Sequence, residues 1–414
     1  MPVSDTLGVS VVNEDTFSFL NPASHAPAPE GPLADSQIAV QANLCVQGWP
    51  ANAGSRALEN FTALEDATVV ERLHSAGASI AGFTRTSELA FGLDGDTSAA
   101  AVASSACDAA LVTDTIGESR VAAAQARLFG FKPTAGTISR YGLIGLVPSM
   151  ECLGVVARDV TTIAGILRAI SGPDERDFSL GGEFPDFSAP DAATDTKTIA
   201  VIPQSLAGLD PEERDAFESA LVVLRKAGAR TTEAPVDDYE LFRTVHQAIG
   251  STEASSSAGK YDSVRYGHRA AKADDWNEMY LKSREESFVP LVKSFLFQGA
   301  YFQFENYSAF ENACRIRRRL VEALNKVLSE SGLIALPTRK KNVPSDPAES
   351  VSQVYDRFAL TLAANVAGLP AISVPGFVKA DGEDLGLQLV ASRLQDNRLL
   401  GYAARIATMH RGDL

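Results

Sequence analysis

From Ser98 to Arg120 the chain reads SAAAVASSACDAALVTDTIGESR, and from Gly130 to Val160 it reads GFKPTAGTISRYGLIGLVPSMECLGVVARDV. The first part, residues 98–113, is built almost entirely of small side chains. Small side chains let backbones approach closely, so a packed central helix leading into a strand is expected here. The second part ends where a new helix begins. Asp159 stands at its start, and Val160, Ile163, Ile166, Leu167 and Ile170 recur on one apolar face up to about Ser171.

The same rhythm extends upstream. Ile38 to Val46 reads as a strand. Asp66 is positioned to cap a helix whose apolar residues are Val69, Val70, Leu73 and Ala76, and Gly77 is positioned to end it. Ala78 to Phe83 then reads as a buried strand, which completes a β-α-β unit. Downstream, residues 173–196 are rich in Asp, Pro and Gly and read as a loop. A further α/β unit opens with TIAVIP after Lys197. Asp210-Pro211-Glu212-Glu213 is a capping box with Pro at the first helical position, and Phe217, Ala220, Leu221 and Leu224 follow at helical spacing. Residues 240–330 read as mostly helical. Leu333 to Pro337, Ala371 to Pro375 and Leu385 to Ala391 read as three more strands.

The expected fold class is α/β: a mixed, mostly parallel sheet with helices on both faces and a mostly helical lobe. Residues 1–35, rich in Pro, Ala and Ser, are expected to form an extended N-terminal arm. Residues 36–414 are expected to form one domain, with 197–330 as a lobe within it.

Composition narrows the function classes. Over 414 residues the net charge is −15, which disfavours general binding of nucleic acid or of an anionic membrane surface. No Lys or Arg precedes Arg56, so neither a secretory signal nor a transit peptide is expected. No run approaches the ~18 apolar residues of a membrane span. Cys45, Cys107, Cys152 and Cys314 are far apart and read as buried cytosolic thiols. The five histidines are equally scattered, so no metal site and no cofactor is expected. A cytoplasmic location follows from these readings. The basic run Arg315, Arg317, Arg318 and Arg319 reads as a solvated helix face that neutralises nearby acids, in preference to a phosphate or tRNA site.

The residues quoted at the outset also carry a resemblance. SAAAVA, TDTIGESR and GFKPT, in ungapped spacing from Ser98 to Thr134, are similar to the signature of the amidase signature family. ALENFTALEDATVVERLHSAGA, YDSVRYGHR (Tyr261 to Arg269) and LTLAANVAGLPAISVP resemble segments of the A subunit of glutamyl-tRNA(Gln)/aspartyl-tRNA(Asn) amidotransferases. The likeness spans roughly residues 36–410. It implies the amidase-signature fold, an amide-hydrolysing relative with a Ser–cis-Ser–Lys triad, and partners like the B and C subunits; a homodimer is the other possible assembly.

At the residues themselves the resemblance implies altered chemistry. The position of the family lysine falls on Gln41, and an amide cannot accept and return a proton near pH 7. The nucleophile position, read ungapped, falls on Glu118, and the cis-serine position falls on Asp94. The loop that joins the Glu88–Gly92 segment to the Ser-rich motif is much shorter than in the family. A negative Glu118 would oppose a developing oxyanion, whose stabilisation is typically worth about 10²–10³ in rate. A one-residue shift would instead overlay Gly117-Glu118-Ser119 on Gly-Gly-Ser, making Ser119 a fallback nucleophile with Asp94 as base. The other reading of Ser119 is a polar loop residue beside Arg120, with Arg120 paired to Asp114. Asp114, Thr115, Gly117 and Arg120 are the expected binding residues around this turn. The acid expected before the Asn-Leu-Ala-Gly segment falls on Phe358, with Asp356 nearby, and the basic residue expected near Phe295 is missing. Three functions remain open: a catalytically silent binding or assembly subunit, an amidase using Ser119, and acid–base chemistry by a paired Asp94 and Glu118.

Overall fold

The computed structural model describes residues 16–22, 30–187, 198–341 and 350–412. Its strands, in chain order, are β1 (Phe17–Leu20), β2 (Gln37–Gln41), β3 (Ser79–Thr84), β4 (Ala109–Asp114), β5 (Phe129–Lys132), β6 (Cys152–Ala157), β7 (Thr198–Val201), β8 (Arg230–Glu233), β9 (Gly332–Pro337) and β10 (Ala371–Val374). A two-strand ribbon of β11 (Lys379–Ala380) and β12 (Glu383–Asp384) precedes β13 (Leu387–Ala391). Eleven strands form one sheet in the order β1-β3-β2-β4-β6-β5-β10-β13-β9-β7-β8.

The sheet is mixed, as expected, but parallel pairing does not dominate it. Parallel neighbours are confined to the flanks, β3-β2-β4 and β9-β7-β8. The centre, from β4 through β6, β5, β10 and β13 to β9, is antiparallel. The β-α-β crossovers that enforce parallel pairing occur only at the flanks. Within the expected N-terminal arm, Phe17–Leu20 is not an arm at all. It pairs antiparallel with β3 as an edge strand, and Phe17 is buried against Ala39 and Ala81. Residues 1–15 and 23–29 of that arm, and 188–196 of the expected loop, lie outside the described residues.

The helices are α1 (Thr68–Ser75), α2 (Ser98–Ala103), α3 (Glu118–Gln125), α4 (Val160–Ile170), α5 (Pro211–Lys226), α6 (Leu241–Ala258), α7 (Trp276–Ser287), α8 (Pro290–Phe304), α9 (Tyr307–Ser331), α10 (Val351–Arg357), α11 (Leu362–Ala367) and α12 (Asp396–Gly412). The expected starts of α4 and α5 hold. The Asp159 side chain accepts the Thr162 N–H at 2.8 Å, and Asp210 and Glu213 close the reciprocal capping box. The start of α1 differs. Ala67 occupies the cap position without a side-chain bond, because the Asp66 carboxylate accepts the Gln47 N–H at 2.7 Å instead.

Strand alternation sorts the core onto two faces. Ile38, Val40, Leu111, Val155 and Phe131 pack on the face covered by α1 and α4. Ala39, Ala110 and Val112 face α2 and α3, and Phe242, Phe295, Leu320 and Leu336 fill the layer of α6, α8 and α9. The small side chains quoted at the outset are what α2 and α3 use to lie close on the sheet. A Cβ on Gly154 of β6 would sit 2.4 Å from the Ser119 hydroxyl of α3. Of the four cysteines, Cys107 and Cys152 are buried; Cys314, on α9, is exposed, contrary to expectation.

Candidate functional site

The sequence places the site at the C-terminal ends of β2 and β4, where β4 runs through Asp114 into the turn that opens α3. Gln41 is the last residue of β2 and its side chain is buried. Its Oε1 accepts the Thr113 N–H of β4 at 2.7 Å, and its Nε2 donates to Asp96 Oδ2 at 2.6 Å. Asp96 also accepts the Ser98 N–H at 2.9 Å, and Ser98 Oγ lies 2.8 Å from Thr84 Oγ1. Burial pushes the Asp96 carboxyl up to about 6, against hydrogen bonds from Ser98 and Gln41 that pull it down.

The partner of Gln41 is therefore Asp96 and not Asp94. Asp94 is exposed, in the turn between Gly92 and Gly95, both at positive φ. The expected pairing of Asp94 with Glu118 is absent: one carboxylate stands in solvent, and the other is buried with different partners. Sequence reasoning missed Asp96, although an acid two residues ahead of the helix-opening Ser98 is itself a helix-start signal.

Glu118 is the first residue of α3, and its side chain folds back over the turn that precedes it. Its Oε2 accepts the N–H groups of Thr115, Ile116 and Gly117 at 2.7, 2.8 and 3.1 Å. Its Oε1 accepts the Gly92 N–H at 3.1 Å. Four backbone donors thus converge on one buried carboxyl, an anion cradle filled by the chain's own side chain. Burial and the neighbouring Asp114 charge push this carboxyl up to about 8, against the pull of the donors. Gly117 is required at this turn. Its φ is 128°, and a Cβ there would lie 2.1 Å from Thr361 Oγ1, the hydroxyl that donates to the Ile116 carbonyl at 2.5 Å.

Ser119 is fully buried, and its hydroxyl donates to Asp114 Oδ2 at 2.5 Å. Asp114 is paired to Arg120 at 2.9 Å, as expected. The same guanidinium donates to the Thr361 carbonyl at 3.1 Å, to Gln388 Oε1 at 2.5 Å and to Asn365 Oδ1. Burial pushes the Asp114 carboxyl up, but Arg120 more than offsets this and holds it below the usual carboxylate range. Of the expected binding residues, Thr115 and Gly117 spend their N–H groups on Glu118, while Asp114 and Arg120 form a closed internal network. None of the four has a free group aimed at solvent in this arrangement.

Aromatic rings pack beside the turn. Phe91 stacks on Phe295 with centroids 4.6 Å apart, and Phe295 lies 6.4 Å from Tyr355. His246 Nε2 is 2.9 Å from the Thr115 carbonyl and its Nδ1 is 2.8 Å from the Tyr355 hydroxyl. Those partners fix the neutral tautomer with the proton on Nε2, and burial pushes the ring down to about 4. Phe358 is fully buried in the same apolar cluster, while Asp356 points outward to Arg243. Neither His246 nor Tyr355 was singled out from sequence, because nothing local to their segments marks residues 109 positions apart as neighbours.

The basic run is largely the solvated, acid-neutralising face expected, with Arg318 and Arg319 exposed in their ion pairs and Arg317 alone clamping backbone carbonyls. Arg317 donates to the carbonyls of Val366 and Ser149, Arg319 pairs with Asp238, and Arg318 pairs with Glu322. Among the described residues no group of three His, Cys, Asp or Glu side chains could hold a metal ion, and no helix is long and apolar enough to cross a membrane. A surface cavity of about 700 Å³ between β8 and α9 is lined by Arg230, Thr232, Asp237, Arg319 and Lys326, none of them from the turn at Glu118.

An extended sheet with this turn between β4 and α3 defines the class. A family model described as Amidase matches residues 20–98 and 97–400, and the chain belongs to that family. Its relatives identify the branch. The A subunit of the glutamyl-tRNA(Gln) amidotransferase of Symbiobacterium thermophilum is 33% identical over 403 residues, covering 90% of this chain and 82% of that protein. The corresponding protein of Methylobacillus flagellatus is 35% identical over 403 residues, covering 89% and 82%. The crystal structure of the A subunit from Thermotoga maritima superposes with a TM-score of 0.72 at 28% identity, covering 90% of this chain and 82% of that one.

Proposed function

We propose that this chain is a catalytically silent member of its family, kept for binding or assembly in the manner of an A subunit beside B- and C-like partners. The observation that carries the reading is Glu118. A hydrolytic amidase must offer backbone donors to an oxyanion that develops on its substrate. Here four such donors are already engaged by an internal carboxyl.

Two further features support it. Gln41, at the position of the family lysine, carries an amide that cannot act as a base, and both of its ends are bonded to the protein. Ser119, the one serine next to the nucleophile position, is buried under β6 with its hydroxyl committed to Asp114. Loss of nucleophile and base together removes most of a triad's rate enhancement. The absence of a membrane-spanning helix among the described residues fits the cytoplasmic setting of this reading.

The Ser119–Asp114 hydrogen bond is the one feature that favours the opposing reading, an amidase working from Ser119. The two are separated by assaying the purified protein for ammonia release from glutamine, asparagine and simple amides, alongside labelling with a fluorophosphonate. The silent reading expects no hydrolysis above the uncatalysed rate and no label. Turnover that disappears in Ser119→Ala, with labelling of the same residue, would overturn it.

A further inference from the structure

Strand β8 ends the sheet. Among the described residues its ladder partner is β7 alone, in unbroken parallel register from Arg230 opposite Thr198 to Glu233 opposite Val201. Just past the strand, the Ala234 N–H donates to the Val201 carbonyl at 2.9 Å. Ladder groups alternate along a parallel strand, so Arg230 and Thr232 face β7 as Ala234 does. Thr231 and Glu233 therefore turn their N–H and C=O groups outward, where no other described strand meets them. The opposite edge of the sheet, β1, is broken by a register shift between Phe17 and Phe19. Such irregularities blunt an edge against further pairing. The β8 register has none, and the two central residues of the strand are threonines, which suit an extended backbone.

Two cavities flank this edge, one on each face of the strand. The cavity of about 700 Å³ on the α9 side has charges of both signs around it, Arg230, Lys326, Asp237 and Glu330. A second cavity, of about 350 Å³, lies on the α5 side beside Thr231 and Glu233, and its floor is apolar: Val201, Leu206, Phe217 and Leu221. A strand added at this edge sends successive side chains to opposite faces. Every second side chain would enter the charged cavity and the others the apolar one. A helix cannot use both, because the side chains it presents to a surface do not alternate in this way. We propose that β8 is a docking edge for an extended segment of a partner protein, one in which charged and apolar side chains alternate and which adds to the sheet as a further strand. Main-chain bonds to Thr231 and Glu233 hold the segment, and the two cavities select its side chains. None of these residues belongs to the turn at Glu118, so the inference stands whether or not that site is silent.

The test uses the full chain and a fluorescein-labelled peptide, Lys-Val-Glu-Val-Lys-Val-Glu, followed by fluorescence anisotropy. Saturable binding is expected, and on binding the amide hydrogen exchange of residues 230–234 should slow. Thr231→Pro removes one outward N–H. Proline is tolerated on an edge strand where its nitrogen faces solvent, so circular dichroism and thermal melting should stay at wild type. Affinity should nevertheless fall by about tenfold or more, the effect of one lost N–H bond whose carbonyl partner is left unsatisfied. Glu233→Pro should act in the same way, and so should proline in place of the central valine of the peptide. Absence of saturable binding would overturn the proposal, as would binding that survives Thr231→Pro or protection that maps to another part of the chain. Self-association of the chain that is lost in Thr231→Pro would also overturn it, by making a second copy the occupant.

Discussion

Glu118 occupies the point at which the physics of the turn and the chemistry of the site meet. Backbone N–H groups at the start of a helix lack intrahelical partners and need an acceptor. In this chain the acceptor is supplied by the first residue of the helix itself, which also reaches across to Gly92. Glu118→Ala leaves those donors in a buried, aromatic-lined space. We expect a loss of about 3 kcal/mol in stability, measured by urea unfolding, because each buried unsatisfied group costs about 1–3 kcal/mol and water recovers only part of it. Glu118→Gln keeps one acceptor oxygen and should lose less. Equal losses for the two variants would mean that the donors, and not the carboxyl, are dispensable.

At the scale of elements, α3 is short, and its end is strained where its beginning is satisfied. After Gln125 and Ala126, Arg127 takes φ 58°, and the N–H of Leu128 reaches back to the Ala123 carbonyl at 2.8 Å. That is a left-handed helix end of the kind normally given to glycine. The Arg127 side chain is exposed, so little packing is at stake. Arg127→Gly should therefore raise stability by about 1 kcal/mol, the cost of a left-handed residue with a Cβ, read as a shift in the urea midpoint with an unchanged slope. A loss would show that the contact of Arg127 with the Gly382 carbonyl matters more than the backbone. By contrast, Gly77 at the end of α1 already has φ 90°, and the sequence marked it as a terminator.

For the whole molecule, buried carboxyls set the response to pH. Glu118, Glu88 and Asp96 are pushed up to about 8, 7 and 6, in each case mainly by burial. An acid whose folded pKa is raised binds its proton more tightly when folded. Its contribution is complete below the unfolded pKa and is lost as pH rises through the folded value. His246, pushed down to about 4, acts in the opposite sense and stops changing above its unfolded value of 6.5. Stability should therefore fall between about pH 6.5 and 8. Glu118→Gln should flatten the upper part of that fall. A wild-type stability that rises across the same window would contradict the raised values.

The distribution of small and apolar side chains was enough to specify the α/β architecture. Gly154, Ala122 and Ala123 admit α3 onto the sheet wherever the chain is met. The periodic face of α4, the capping box of α5 and the late strands are local patterns, and each formed where its residues indicated. The identities at Glu118 and Ser119 were equally legible, because their spacing to GFKPT is short and ungapped, and Gln41 was legible from its neighbours Val40, Ala42 and Asn43. Three things were decided only by tertiary structure. Asp96, and not Asp94, meets Gln41, because the path of the shortened loop sets which acid turns inward. Antiparallel pairing runs through the sheet centre, because the order β4-β6-β5-β10-β13-β9 is set by which strand edges meet in the fold and not by any local pattern. Glu118 became a filled cradle and not a bare negative charge, since its four donors come from two segments that only folding brings together.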